Sequence, residues 1–221
     1  MATITLTPNS ATIETKRLMI RSATPTMLND YAELYADPEV MKTLADGTTK
    51  TREYVQGRLQ AWNQRWLTGD FYSGLAVFTK EGTFIGHVVC GHGDEAGQSE
   101  MAYLFKKAVW GKGYGKEAVR AVVEQFIPKL VAREILREKY PLEGKPLRTI
   151  CATARVDNVA SNKIIQGLCM VHQKTDEKYG GPRHHYTYDV YSMNPEKNPV
   201  VPSLKKPLAE CSLKEILHLT K

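Results

Sequence analysis

The sequence lacks several features that would place it in a common class of protein. No apolar run is long enough to span a bilayer, and the N-terminus, MATITLTPNSATIETKR, lacks the basic-then-apolar order of a secretory signal. The 4 cysteines are widely spaced without a C-x-x-C pair, so a zinc or redox motif has no support, and we expect reduced thiols. No RNP-type strand motif, zinc finger or helix-turn-helix signature occurs. These absences predict a cytoplasmic protein with no membrane span, no metal and no nucleic-acid partner.

Two familiar phosphate-binding motifs are also missing, although the stretch VWGKGYGKEAV is rich in glycine. A Walker A loop needs Ser or Thr after its Gly-Lys pair, and Glu117 stands there, while Trp110 occupies the place of its first glycine. A dinucleotide fingerprint starting at Gly111 needs a glycine where the sequence has Lys116. Neither a P-loop nor a dinucleotide-binding fingerprint is therefore predicted.

Three alternate glycines, Gly111, Gly113 and Gly115, precede a run with a helical pattern. Glycines let a backbone come close to a ligand, and free N–H groups at a helix N-terminus bind anions. The neighbourhood is basic, like the chain as a whole, whose net charge is +6. The segment therefore predicts an anion site, and the alternative is a glycine-rich turn with solvated lysines.

The order of apolar patterns predicts an α+β fold with a mixed central sheet of about six or seven strands flanked by helices. Its middle is an antiparallel meander formed by YSGLAVFTK, TFIGHVVCGH and SEMAYLFKK. We expect one domain over residues 1–193. Residues 194–221 form a proline-containing extension whose SLKEILHL segment predicts a short amphipathic helix, packed on its own domain or bound to a partner.

At this point a family resemblance becomes specific. The segment from Trp110 to Gly115 resembles the acetyl-CoA pyrophosphate loop, [Arg/Gln]-x-x-Gly-x-[Gly/Ala], of the GNAT N-acetyltransferases. Trp110 replaces the Arg or Gln, which is similar to the RimJ/RimL-type branch. Three further segments resemble that branch, namely ETKRLMIR, DPEVMKTL and ARVDNVASNKII. The resemblance covers residues 14–193.

The resemblance implies the GNAT acyl-CoA N-acyltransferase fold over residues 1–193, with its fourth and fifth strands splayed. It implies acetyl-CoA as cosubstrate and no metal. Backbone groups of the glycine loop would hold the pyrophosphate, those of the fourth strand would hold the pantetheine, and one of the strand's N–H groups would stabilise the oxyanion. The implied contacts are Gly111, Lys112, Gly113, Tyr114, Gly115 and Lys116 in the loop, and Tyr103, Leu104 and Phe105 in the strand.

Catalytic roles are also carried over from this branch. Many members of the family use a Tyr on the helix after the fifth strand, and NVASNKIIQGL contains none. The resemblance instead implies Ser161 as the proton donor to the leaving thiolate and Asn158 as a hydrogen-bonding partner of the pantetheine arm. The alternative is that Asp157 or Asn158 caps the helix, which would leave Ser161 a first-turn residue. Glu100 is the first candidate for the base, with a solvated edge glutamate as the alternative.

The implied activity is transfer of the acetyl group of acetyl-CoA to a primary amine by direct attack. A protein N-terminal α-amine is the first acceptor candidate, and an antibiotic, polyamine or amino acid is the alternative. A GNAT-like protein that binds acetyl-CoA without turnover stays open. A basic nucleic-acid-binding module is not needed to explain the positive charge, because the cofactor is itself a polyanion. We expect a monomer or a homodimer.

Overall fold

The computed structural model describes residues 1–193. The strands are β1 (Thr3–Leu6), β2 (Ala11–Glu14), β3 (Leu18–Ser22), β4 (Gly74–Thr79), β5 (Phe84–His92), β6 (Gln98–Phe105), β7 (Thr149–Arg155), β8 (Val171–Lys178) and β9 (Gly181–Asp189). The α-helices are α1 (Leu28–Ala36), α2 (Pro38–Met41), α3 (Arg52–Leu67), α4 (Tyr114–Arg120), α5 (Ile127–Arg137) and α6 (Val159–Gln166). The helix predicted in residues 194–221 lies outside the described residues.

The strands form one nine-stranded sheet in the order β1-β2-β3-β4-β5-β6-β7-β9-β8. The α+β class is confirmed, but six or seven strands is too few. The additional strands, β1 and β2, form an antiparallel hairpin that extends the sheet beyond β3. Each has 4 residues, which is too short for alternating hydrophobicity to distinguish a strand from an extended terminus.

The sheet opens near its middle, where the pairing of β6 with β7 stops. These strands are parallel, and their register covers Gln98–Glu100 against Thr149–Cys151 and then stops. β6 stays paired with β5 as far as Phe105, and β7 stays paired with β9 as far as Arg155. β6 and β7, which correspond to the family's fourth and fifth strands, therefore diverge after Glu100, and the predicted splay is confirmed.

Helices cover both faces of the sheet. One core joins the sheet to the helical stretch that starts at α4 and to α6, and the other joins it to α1, α2 and α3. Proline has no N–H to donate and commonly ends a helix, and Pro128 lies in the stretch that starts at α4. This stretch nevertheless continues through a π-helical segment, Ala121–Phe126, into α5, of which Pro128 is the second residue.

Within residues 1–193, none of the helices combines the length and apolar character that crossing a bilayer requires. Cys90 and Cys151 are free thiols, as expected.

Candidate functional site

The glycine loop leads from the end of β6 into α4. Gly111 and Gly113 have φ values of +74° and +79°, a left-handed backbone that residues with a Cβ adopt at a cost. Gly115 serves another purpose, since a Cβ there would lie 3.4 Å from the Phe105 ring and 3.6 Å from Ile164. The alternate glycines are therefore explained by two backbone turns and one close contact between helix and strand.

The loop points the first turn of α4 outward. Gly113 is the N-cap residue, and no side chain caps the helix there. The N–H groups of the first turn of any helix have no acceptor within the helix, so Tyr114, Gly115 and Lys116 offer theirs to a ligand. A Cβ built on Gly111 would meet nothing within 4 Å, so this side of the loop is open. Backbone N–H groups without an acceptor in the helix therefore lie where the sequence predicts an anion site, and the anion itself stays a prediction.

An ion pair between Glu117 and Arg17 fixes this loop to the turn between β2 and β3. Glu117 accepts hydrogen bonds from the Thr15 hydroxyl at 2.7 Å, the Arg17 backbone N–H at 3.0 Å and the Arg17 Nε at 2.6 Å. Arg17 also donates to the Lys112 carbonyl at 2.9 Å and lies 4.4 Å above the Tyr114 ring. Partial burial acts to raise the pKa of Glu117, but these hydrogen bonds outweigh it and lower that pKa. These contacts therefore hold the β2–β3 turn against the glycine loop and the first turn of α4.

Trp110 stands where the related loops have Arg or Gln. Its indole Nε1 donates to the Phe105 carbonyl at 2.8 Å, at the last residue of β6. The side chain is 44% exposed and lines the groove described below. Trp110 therefore fixes the start of the loop to the end of the strand and presents an aromatic surface to any ligand.

The splay and the loop together form a groove of about 400 Å³. One side is β6 with the glycine loop, and the other is α6 together with the segment that follows α2. The residues that line it include Tyr103, Leu104, Phe105, Trp110, Gly111, Gly113, Gly115, Lys116, Asn158 and Ser161. Of the predicted contacts, Lys112 and Tyr114 are absent from this lining. The structure therefore brings the predicted strand, loop and helix residues together at one site.

Ser161 and Tyr103 meet inside this groove. Their hydroxyl oxygens are hydrogen-bonded at 2.8 Å, and the Tyr103 hydroxyl lies 3.2 Å from the Ser161 carbonyl that it can donate to. Burial raises the pKa of Tyr103, and the hydrogen bond from Ser161 opposes that shift. The sequence analysis gave Tyr103 only a backbone role. The phenol that α6 lacks is supplied here by the neighbouring strand.

Asn158 is the N-cap of α6, as the alternative interpretation held. Its Oδ1 accepts from the Ser161 N–H at 3.1 Å, and the residue also lines the groove. Asn162, which the sequence analysis did not assign, donates to the carbonyls of Arg155, Val156 and Asn158 and accepts from the Tyr186 hydroxyl at 3.0 Å. It therefore fixes the end of β7 to α6 and so positions Ser161.

Glu100 lies on β6 in the part that still pairs with β7. Its carboxylate is 3.9 Å from the Lys178 ammonium, and Glu100 is not among the residues that line the groove. Its role as the base stays a prediction. His87, a second titratable group on these strands, is buried and stacks on Tyr31 and Tyr35, and burial lowers its pKa to about 3.

The other histidines of residues 1–193 contact neighbouring side chains. Within the part of the chain that the structure describes, no group of three or more His, Cys, Asp or Glu residues could hold a metal ion. His92 pairs with Asp70 at 2.8 Å. His184 and His185 lie on β9, where each has a partner on β8, Thr175 and Asp176 respectively.

Comparison with known proteins agrees with this geometry. Residues 17–171 match the family described as Acetyltransferase (GNAT) domain. Among curated proteins, the uncharacterized protein YkkB of Bacillus subtilis (strain 168) is 27% identical over 154 residues, which cover 67% of this chain and 78% of that protein. The chain belongs to the GNAT acetyltransferase family, and its fold and enzyme class follow from that membership.

Solved structures share the fold at low identity. The GNAT-family acetyltransferase from Bacillus anthracis has a TM-score of 0.62 at 20% identity, covering 81% of this chain and 98% of that chain. RimL, the ribosomal L7/L12 alpha-N-protein acetyltransferase, in complex with coenzyme A has a TM-score of 0.62 at 13% identity, covering 79% and 95%. Identities this low show the common fold.

Proposed function

We propose that this chain transfers the acetyl group of acetyl-CoA to the N-terminal α-amine of a protein and belongs to the RimJ/RimL-type branch. The observation that carries the transfer is the groove itself, which runs from the open amides of the glycine loop along the unpaired edge of β6 to Ser161. The acceptor class is supported by the fold shared with RimL, an enzyme named for α-N-protein acetylation.

The residues of the groove fit coenzyme A at both ends. At the loop, the open side of Gly111 and the first-turn amides of α4 suit a pyrophosphate. The lysines that line the groove, Lys42, Lys116 and Lys163, add positive charge for a polyanion. Along β6, backbone groups freed by the splay can pair with the amides of a pantetheine arm, as a neighbouring strand would.

Bound acetyl-CoA would supply the thioester carbonyl that the acceptor amine attacks. Backbone N–H groups of β6 near Tyr103 are placed to donate to the oxygen that becomes negatively charged, and donors of this kind contribute on the order of 10² to 10³ in rate. Ser161 would then donate its proton to the sulfur of the leaving thiolate. While it does so, the Tyr103 hydroxyl can donate to Ser161 Oγ, because the two oxygens are 2.8 Å apart.

The amine must lose a proton before or during attack. An α-amine has a pKa of about 8, so a fraction of it is neutral at physiological pH and a weak base acting through water suffices. We assign this role to Glu100, which precedes the splay on β6. Because Glu100 is not among the residues that line the groove, this role would be carried out through water and not by direct contact.

The test separates ligand binding from turnover. Coenzyme A at 100 times its Kd should stabilise the chain by about 2.7 kcal/mol, which appears as a higher unfolding midpoint. Release of free thiol from acetyl-CoA is then measured with a panel of unblocked peptides, the same peptides with blocked N-termini, and small amines. Release with unblocked peptides alone is the expected result.

Release only with small amines would move the acceptor to the alternative class. Binding without release across the whole panel would support a non-catalytic acetyl-CoA-binding protein. Absence of binding at millimolar coenzyme A would overturn the proposal altogether.

A further inference from the structure

The segment after α2 forms a wall at the inner end of the groove. Thr43 lines both the groove and a smaller cavity of about 70 Å³, and Leu44 lines the smaller cavity. The two cavities also share Tyr103, Leu104, Asn158 and Ser161, so they adjoin. The sequence analysis assigned no role to this segment beyond a resemblance.

The smaller cavity lies between the diverging strands and away from the glycine loop. Its lining takes Met101 and Ala102 from β6 and Ala152 and Ala154 from β7, with no residue of the loop. A coenzyme A whose pyrophosphate sits at the loop and whose arm follows β6 would place its acyl group at this end. The cavity is small, and its size suits an acyl group no larger than acetyl.

The wall is held in a backbone conformation that it would not keep alone. Ala45 has a φ of +46°, in the left-handed region, which residues other than glycine adopt only at an energetic cost. Such a conformation persists only where surrounding contacts fix it. Two local bonds hold the turn, from the Leu44 N–H to the Met41 carbonyl and from the Gly47 N–H to the Leu44 carbonyl, and further contacts come from outside the segment.

Arg183 on β9 supplies them. Its side chain is 4% exposed, and its NH2 donates to the carbonyls of Ala45 at 2.9 Å and Thr43 at 3.3 Å. Hydrogen bonds from a guanidinium are charge-assisted and stronger than neutral ones. Arg183 is also among the residues that line the smaller cavity. The buried guanidinium of Arg183 thus connects β9 to the wall at the end of the groove where the acyl group would lie.

We propose that Arg183 is a positioning residue that sets the length of acyl chain the groove accepts, by holding the Thr43–Leu44 wall against the splay. This inference rests on the proposed function, since it requires coenzyme A to bind in the groove. It concerns the acyl group of the donor and does not depend on which amine accepts that group.

The test is a comparison of dissociation constants for coenzyme A, acetyl-CoA, butyryl-CoA and hexanoyl-CoA by calorimetry, which needs no acceptor. The wild-type chain should bind hexanoyl-CoA about tenfold or more weakly than acetyl-CoA, since methylenes that a pocket cannot hold are discriminated at that level. Arg183→Met should bring this ratio close to one and leave the affinity for coenzyme A unchanged within about twofold. Arg183→Lys, which can still donate to the carbonyls, should restore part of the ratio.

Arg155→Met is the matched control. Arg155 faces Arg183 in the β7–β9 register, carries the same charge and pairs with Asp157 instead of the wall, so its loss should leave the ratio as in wild type. Limited trypsin digestion adds a structural readout. Cleavage at Lys42 and Lys50, which flank the wall, should accelerate in Arg183→Met and not in Arg155→Met.

Leu44→Ala gives a second route if Arg183→Met does not fold. It shortens a side chain that lines the smaller cavity and keeps the hydrogen bonds from Arg183 to the segment, so hexanoyl-CoA should bind more tightly relative to acetyl-CoA. The inference is overturned if the wild-type chain does not discriminate, if folded Arg183→Met keeps the wild-type ratio, or, where Arg183→Met does not fold, if Leu44→Ala keeps that ratio. Failure of coenzyme A itself to bind would instead overturn the proposed function, and this inference with it.

Discussion

At the scale of single residues, the contact between Tyr103 and Ser161 gives the most direct test of the chemistry. Ser161→Ala removes the proposed donor to the thiolate, and we expect kcat to fall about a hundredfold, within the range of general acid catalysis. Tyr103→Phe removes only its hydrogen-bonding partner, and a loss of about tenfold is expected from one hydrogen bond. The affinity for coenzyme A, measured by calorimetry, should change by less than about twofold in both.

Tyr54→Phe serves as the control for the tyrosine change, because Tyr54 is 45% exposed and lies outside the groove. Equal losses of turnover and cofactor affinity in Ser161→Ala would reduce Ser161 to a residue that positions α6. A normal kcat in both variants would exclude the hydroxyl pair from the reaction.

Glu100 makes a separate prediction at the same scale. If its carboxylate accepts the amine proton through water, Glu100→Gln should lower kcat/KM for the acceptor about a hundredfold, while the KM for acetyl-CoA stays unchanged. Steady-state kinetics at several acceptor concentrations measure both values. Glu95→Gln, an exposed change in the preceding turn, should have no effect. Unaltered acceptor kinetics in Glu100→Gln would leave Glu100 as the solvated edge residue that pairs with Lys178.

At the scale of elements, the attachment of α4 to the β2–β3 turn should control cofactor affinity. Glu117→Gln weakens its bonds to Arg17, and hydrogen bonds to charged groups are worth about 1.5–3 kcal/mol. Because the loop amides lose their fixed orientation, we expect the Kd for coenzyme A to rise about tenfold, as measured by calorimetry. Glu124→Gln, on the π-helical segment and paired with Arg120, should leave that Kd unchanged. Equal effects of both changes would indicate a general loss of helix stability.

The same elements show how far the sequence could predict the site. The glycine loop, the seven longer strands and α6 were each predicted, because glycine spacing and apolar period are local signals. The Arg17–Glu117 contact was not, since its partners are 100 residues apart. Arg183 and the Thr43–Leu44 wall are further apart still in the sequence. A local pattern cannot predict that Ala45 has a positive φ, or that its carbonyl is bonded by a strand from the other end of the domain.

For the molecule as a whole, the buried carboxyl group of Glu134 predicts how stability depends on pH. Glu134 is 6% exposed on α5, far from the groove, and its Oε2 accepts from the Tyr72 hydroxyl at 3.1 Å. Burial raises its pKa from 4.5 to about 7, with Asp70 adding to the shift and the Tyr72 hydrogen bond opposing it. The folded chain therefore holds a proton between these two values that the unfolded chain has released.

Because the folded state binds more protons than the unfolded state in this window, the free energy of unfolding should fall as the pH rises from 4.5 to about 7. The loss from this group is about 3 kcal/mol. Glu134→Gln keeps a neutral group that can bond Tyr72 and should remove that fall, so urea unfolding at pH 5 and pH 8 should differ less than in wild type. The variant should also be the more stable protein at pH 8. A wild-type pH dependence in Glu134→Gln would show that Glu134 is ionised in the folded chain at neutral pH.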